Sequence, residues 1–223
     1  KSTGTPASSS CCSSSTSRCV SALRRCTSSS CTSVASSSSF WCWRFSWSSS
    51  IRRAAAAYRT ATKYPATAFA TSLQDISALI HGDLGSRVFS ASINGFDTHA
   101  LQKGVHDGLL RDVDGALASF MEDLGQSEAG RNTLVLVFSE FGRRLAENGS
   151  KGTDHGKAGP MFVLGHTVKG GLYGKHPSLT ELDNGDLVHT TDFRSVYGSV
   201  IEGWFGVEHE KVLGKRYPLI PFV

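Results

Sequence analysis

From residue 71 onward, apolar and polar positions follow periods that predict a layered fold. Leu73, Ile76, Leu79 and Ile80 share one helical face, and Gly82 closes that helix. Residues 87–93 alternate as a strand does, and Asn94-Gly95 breaks the run. Val105, Leu109, Val113, Leu117, Phe120, Met121 and Leu124 then form the apolar stripe of a long helix stopped by Gly125. Residues 133–138 (Thr-Leu-Val-Leu-Val-Phe) are continuously apolar and rich in β-branched side chains, the pattern of a strand covered on both faces. A glycine-rich loop spans residues 142–159. Residues 161–164 read as another buried strand, and Gly170-Gly171 as a turn. Phe193, Val196, Tyr197, Val200, Ile201 and Trp204 line a last helix, with Thr191 or Asp192 as its N-cap.

Helix, strand, helix, strand, loop, strand, helix is the order of an α/β domain, predicting a mostly parallel sheet with helices on both faces. In such folds ligands bind beyond the carboxyl ends of the strands. The polar clusters of this chain fall at those ends.

The first part of the chain is of another kind. Residues 1–74 hold nine basic residues and no Asp or Glu, whereas the remainder holds 14 basic and 19 acidic residues. The net charge of +4 therefore describes neither half and identifies no partner. All six cysteines (Cys11, Cys12, Cys19, Cys26, Cys31, Cys42) and 21 serines lie within the first 50 residues. Their irregular spacing fits neither a disulfide framework nor a zinc pattern of paired Cys-x-x-Cys. A basic arm for nucleic acid would be rich in lysine with interleaved aromatics, which this segment is not. The mixture is what an out-of-frame reading of a GC-rich gene produces, so residues 1–57 are expected to be low-complexity, disordered or out-of-frame, and residues 58–223 to form the domain. No 18-residue apolar run is present, so no membrane span is expected, and no signal-peptide h-region follows Lys1.

Three clusters could carry chemistry. Asp97 and His99, in a loop directly after a strand, could reach one cation together, or could close a turn and cap the next element. Glu140 emerges at the end of the most apolar strand. Arg143 and Arg144 follow with planar donors suited to phosphate, sulfate or carboxylate, unless one simply pairs with Glu140 at the surface. Asp154 and His155, followed by Gly156, place two potential ligands on a tight turn. His189, just before the last helix, is either a fourth ligand or a structural cap. Asn148-Gly149-Ser150 fits a glycosylation sequon but reads as turn chemistry. His81, His106, His166, His176 and His209 read as surface or loop histidines.

Five segments together resemble domain-of-unknown-function family 1501 over residues 66–223. They are residues 95–100 (Gly-Phe-Asp-Thr-His-Ala), 136–143 (Leu-Val-Phe-Ser-Glu-Phe-Gly-Arg), 152–156 (Gly-Thr-Asp-His-Gly), 168–174 (Val-Lys-Gly-Gly-Leu-Tyr-Gly) and 189–197 (His-Thr-Thr-Asp-Phe-Arg-Ser-Val-Tyr). That family is similar to the alkaline phosphatase/sulfatase superfamily, whose metal-dependent hydrolases cleave phosphate or sulfate esters. The resemblance implies an α/β fold of that type, export from the cell, and a small-molecule or glycan anionic ester as partner. It implies one or two divalent ions (Zn, Mn, Mg or Ca), with Asp97 and His99 on one and Glu140 serving the second; Asp154 and His155 either supply the imidazole missing beside Glu140 or match a later His of the pattern, His189 stays a candidate ligand by its position, and Arg143 is the anion contact. A non-catalytic protein binding an anionic glycan or protein partner on the same scaffold is the alternative.

The chain departs from the pattern in two places. Glu140-Phe141 stands where the superfamily has Asp-His. The family's N-terminal Gly-Gly-Asn-Asp-Gly-like strand end, with its metal-binding Asp and following nucleophile region, has no counterpart in residues 1–58. The domain is therefore expected to be N-terminally incomplete and to lack its attacking group.

Overall fold

The computed structural model describes residues 17–24 and 40–223. The low-complexity reading of the N-terminal segment falls in part on residues 1–16 and 25–39, which lie outside the described residues. Within that segment, Ser17–Arg24 forms strand β1 and Phe40–Ala57 helix α1.

The elements foreseen from periodicity follow in order. Helix α2 (Ala68–His81) starts at Thr67, whose hydroxyl accepts the Ala70 N–H, and ends at Gly82. Strand β2 is Val88–Asn94, and helix α3 runs from Gln102 to Leu124 and stops at Gly125. A short helix α4 (Glu128–Arg131) leads into strand β3 (Thr133–Ser139). The next strands are β4 (Gly142–Arg143), β5 (His155–Gly156), β6 (Phe162–Leu164), β7 (Leu182–Asp183) and β8 (Asp186–Leu187). Helix α5 (Phe193–Ser199), capped by Asp192, widens into a π-helical turn over Val200–Trp204, and α6 is His209–Leu213.

The continuous apolar run of β3 has a direct structural reason. Val135 and Val137 enter one core with Phe69, Leu73, Ile80, Phe120 and Leu124 of α2 and α3. Leu134 and Leu136 enter a second core with Val196, Val200, Trp204 and Phe222. Successive side chains of a strand point to opposite faces, so a strand between two helical layers must be apolar at every position. The fold is mixed α/β, with helical layers on both faces of the sheet.

The sheet itself corrects the expectation of mostly parallel pairing. Its order is β2-β1-β3-β6, and every neighbouring pair is antiparallel. Strands β2 and β3, joined through α3, still run in the same direction, as a crossover connection requires. However, β1 lies between them and runs the other way. Residues 140–161 contain no helix to carry the chain back across the sheet, so β6 returns from the end where β3 finished and pairs antiparallel. Strand β6 is an edge with Phe162 53% exposed, so it is not the buried strand its composition predicted.

Because β2 and β3 share a direction, their carboxyl ends lie at one edge. Ser17 pairs with Asn94 and the adjacent Arg18 with Ser139. The loops that leave Asn94 and Ser139 therefore start level with each other, and they carry the candidate chemistry.

Candidate metal centre

Loop 95–101, after β2, presents Asp97 and His99. Loop 140–161, after β3, folds back on itself as the β4–β5 pair, in which Gly142 faces Gly156 and Arg143 faces His155. The turn is tight at Gly142, where an added Cβ would lie 1.6 Å from the Ala158 carbonyl oxygen. The two loops are then joined edge to edge. Leu101 donates its N–H to the Ser150 carbonyl and Gln102 to that of Lys151, both at 3.0 Å. The Thr153 hydroxyl donates to Gln102 Oε1 at 2.9 Å.

This junction brings three potential ligands together. His155 Nε2 lies 2.6 Å and His99 Nε2 2.9 Å from Asp97 Oδ1. The two imidazole nitrogens are 3.2 Å apart, and one ligand atom from each of the three residues falls within 4.8 Å of the others. All three side chains are between 40% and 49% exposed, so the cluster is open to solvent. Two nitrogens bound tetrahedrally to one zinc at about 2.05 Å stand about 3.3 Å apart, so the imidazole spacing fits a shared ion. Three candidate ligands with an open solvent side would match the count of a catalytic rather than a structural zinc site, and as they stand the 2.6 and 2.9 Å contacts of Asp97 are hydrogen-bond distances.

The surroundings hold these side chains in place. The Phe141 ring stacks on His155 with centroids 4.0 Å apart and 17° between planes, and the Arg143 guanidinium carbon lies 5.1 Å from the Phe141 ring centroid. Arg143 donates to the carbonyls of Phe96 and Thr153 and, at 3.3 Å, to the Thr98 hydroxyl. Burial lowers its pKa, while the carboxylates of Asp97 and Asp154 act in the opposite sense. Arg143 thus pins both loops by their backbones.

Asn148 has a comparable task. Its Oδ1 accepts the N–H groups of Ser150 and Gly152, and its Nδ2 donates to the His99 carbonyl at 3.0 Å and to Asp154 Oδ1 at 3.2 Å. From the sequence alone Asn148 reads as turn chemistry. It makes the turn and also fastens it to the His99 loop. An Asx-type turn between two histidine-bearing segments was the available signal. Phe141, by contrast, gave no signal, because stacking partners cannot be read from spacing.

Of the residues singled out in the sequence, Asp97, His99 and His155 converge. Asp154 lies one step outside, with Oδ1 3.5 Å from His99 Nδ1. Asn148 and then His99 hold its carboxyl below the usual carboxylate range. Glu140 is exposed at the end of β3 and does not join the three converging ligand atoms. His189 is exposed in the loop before α5, where Asp192 does the capping by accepting the Arg194 N–H at 2.9 Å, and it stays outside the cluster as well. His209 is neither surface nor loop. It is buried on α6, with Nδ1 2.6 Å from Glu202 and Nε2 accepting the Tyr217 N–H.

A separate cavity of about 560 Å³ is lined by Thr190, Arg194, Ser195, Lys215, Arg216 and Tyr217. Arg194 is paired with Asp192 and Arg216 with Glu210, so two of its cations are already matched.

Residues 45–211 match the family described as "Protein of unknown function (DUF1501)". The chain belongs to the DUF1501 family. The match runs from within α1 to within α6 and includes both loops of the candidate centre. No curated protein and no solved structure matches the chain. Among the described residues no helix is long and apolar enough to cross a membrane.

Proposed function

We propose that this DUF1501 chain carries the metal centre of a phosphate- or sulfate-ester hydrolase related to the alkaline phosphatase/sulfatase superfamily, with a divalent ion held by Asp97, His99 and His155. The convergence of one carboxylate oxygen and two imidazole nitrogens supports this reading. One hard oxygen with two borderline nitrogens suits Zn²⁺ or Mn²⁺ better than Mg²⁺ or Ca²⁺, which favour oxygen donors. When bound, such an ion would polarise the ester oxygen and offset developing negative charge.

The chain's own residues would orient and balance the substrate. Arg143 spends donors on the Phe96 and Thr153 carbonyls, so it offers an anion a fixed positive field rather than a two-pronged grip. The hydroxyls next to the cluster are engaged: Thr98 with Arg143 and Thr153 with Gln102. This favours water as the attacking group. Water adds at phosphorus or sulfur, the bond to the alcohol oxygen breaks, and a proton passes to the departing alkoxide. The same engaged hydroxyls favour a second reading, a protein that binds an anionic glycan or protein partner on this scaffold without turnover.

The test is metal analysis of the full purified chain after equilibration with Zn²⁺ or Mn²⁺, with hydrolysis of p-nitrophenyl phosphate and p-nitrophenyl sulfate assayed alongside. Stoichiometric metal that is lost in Asp97→Ala and His155→Ala is the expected result. A wild-type chain that retains no metal overturns the reading. Metal retention without hydrolysis selects the binding function.

A further inference from the structure

The cavity of about 560 Å³ beside α5 is walled by two segments, 190–195 and 215–220. Its volume is that of a small-molecule site, about 300–1,000 Å³. Both walls are fixed from behind. The Tyr217 N–H donates to Nε2 of buried His209 at 3.0 Å, and the Ile220 N–H to Oγ of buried Ser199 at 2.7 Å. The Thr190 hydroxyl donates to the Lys175 carbonyl at 2.5 Å. Three cations and one carboxylate line the space. Arg194 grips Asp192 through Nε and Nη2, and Arg216 Nε is taken by Glu210 at 2.7 Å. Lys215 has no carboxylate partner among the described residues, and its Nζ lies 5.9 Å from the Tyr217 ring centroid. Ser195 is 4% exposed, and its hydroxyl makes no hydrogen bond among the described residues. A buried hydroxyl normally has a partner, and the cavity that Ser195 lines is where one can sit.

We propose that this cavity binds a small organic monoanion, its singly charged oxyanion head on Lys215 and Ser195 and its apolar body against Pro218 and Ile220. The charge balance selects the ligand. With Arg194 matched by Asp192 and Arg216 by Glu210, one positive charge is left, that of Lys215. A carboxylate or sulfonate meets it charge for charge. A phosphate monoester carries about −1.5 to −2 at pH 7, and its surplus charge would be partly desolvated without a partner. The lysine ammonium acts as a point charge with no fixed direction, whereas the Ser195 hydroxyl is a directed donor, so the two together both attract and orient one head group. Pro218 and Ile220 carry no polar side-chain atoms and give the rest of the ligand an apolar surface. None of these residues belongs to the Asp97, His99 and His155 cluster, so the inference does not depend on the proposed metal centre.

Isothermal titration of the full chain with benzoate tests this, with benzyl alcohol as the neutral counterpart, phenylphosphonate as the more highly charged one and methanesulfonate as a head almost without a body. Benzoate should saturate one site, methanesulfonate should bind there more weakly, and benzyl alcohol and phenylphosphonate should each bind at least about 10-fold more weakly than benzoate. Lys215 is exposed, so Lys215→Met removes the charge without disturbing the core. That variant and Ser195→Ala should each weaken benzoate about 10- to 100-fold, Lys215→Arg should restore binding, and Asp97→Ala should leave it unchanged. A wild-type chain that titrates neither benzoate nor methanesulfonate overturns the proposal. So does equal benzoate affinity in wild type and Lys215→Met, or benzyl alcohol binding as tightly as benzoate. Phenylphosphonate binding as tightly as benzoate overturns the restriction to one charge. Benzoate binding that survives Lys215→Met but is lost in Asp97→Ala places the anion at the metal centre and overturns this site.

Discussion

His155 Nε2 sits 2.6 Å from Asp97 Oδ1, although 58 residues separate them in the chain. The contact exists because β2 and β3 end at the same edge of the sheet and each is followed by a loop carrying part of the cluster. Two imidazoles and one carboxylate gathered this closely in partial exposure gain little from pairing with each other. On the proposed reading, a shared cation would stabilise the cluster more than these contacts do.

That difference can be measured as ligand-linked stability. Zn²⁺ at about 100 times its dissociation constant should stabilise the folded chain by about 2.7 kcal/mol. The rise in melting temperature should vanish in Asp97→Ala, while the metal-free melting temperature of that variant stays near wild type. Thermal melts with and without Zn²⁺ check both. An equal rise in wild type and variant would place the ion somewhere else.

At Gly152 the backbones of the two loops pack closely. A Cβ there would lie 2.4 Å from both the carbonyl carbon and oxygen of His99, and these backbone atoms cannot swing aside. Gly152→Ala should therefore push the His99 loop outward, costing on the order of 1–3 kcal/mol, and should weaken metal binding at the same time. Gly108, in α3, has nothing within 4 Å of an added Cβ, and alanine there should stabilise the helix by about 0.5–1 kcal/mol. Melts and metal titrations of the two variants should move in opposite directions for stability and should separate completely for affinity.

The sequence made some of this legible and hid the rest for physical reasons. Helices α2 and α3 and strands β2 and β3 follow from periodicity and glycine stops, because Leu73, Phe120 and Val135 must each be placed on a covered face. Asp97, His99 and His155 could be picked out because each is a potential metal ligand in a post-strand loop. Sheet direction was not legible, since a crossover fixes β2 against β3 but says nothing of a strand inserted between them. Glu140 and Asp154 show the limit for the site. Both are carboxylates beside a plausible cluster, and only the loop path decides that one stands apart and the other backs a ring nitrogen.

Phe141 offers a test of ring placement. It covers one face of His155 at 4.0 Å and carries the Arg143 guanidinium at 5.1 Å. Phe141→Ala should leave His155 free to rotate and lower metal affinity, whereas Phe141→Tyr, which keeps the stacking surface, should bind as wild type does. Isothermal titration with Zn²⁺ distinguishes them, and equal affinities in the alanine and tyrosine variants would remove the stack from the account of the site.

The least expected feature of the core is Asp123, 1% exposed on α3 and with no basic partner among the described residues. Its carboxylate accepts hydrogen bonds from Ser77 at 2.6 Å, Thr60 at 2.7 Å, Tyr64 at 2.8 Å and Tyr58, tying segment 58–64 to α2 and α3. Burial, the largest single influence, raises its pKa, but the four hydroxyls together outweigh it and hold the group below its ordinary 3.8. Burial and Asp123 push the Tyr64 hydroxyl well above its usual range, so it remains a donor. A carboxyl with a depressed folded-state pKa contributes stability that is fully present above its unfolded value and is lost as pH falls through the lower folded value. Wild type should thus lose stability steeply on acidification below about pH 4. Asp123→Ala should cost on the order of 3 kcal/mol at pH 7, because four buried hydroxyls lose their acceptor, and should show a shallower acid slope. Urea midpoints between pH 7 and pH 3 decide it: parallel curves for wild type and variant would mean that the carboxylate is not the acid-sensitive tie.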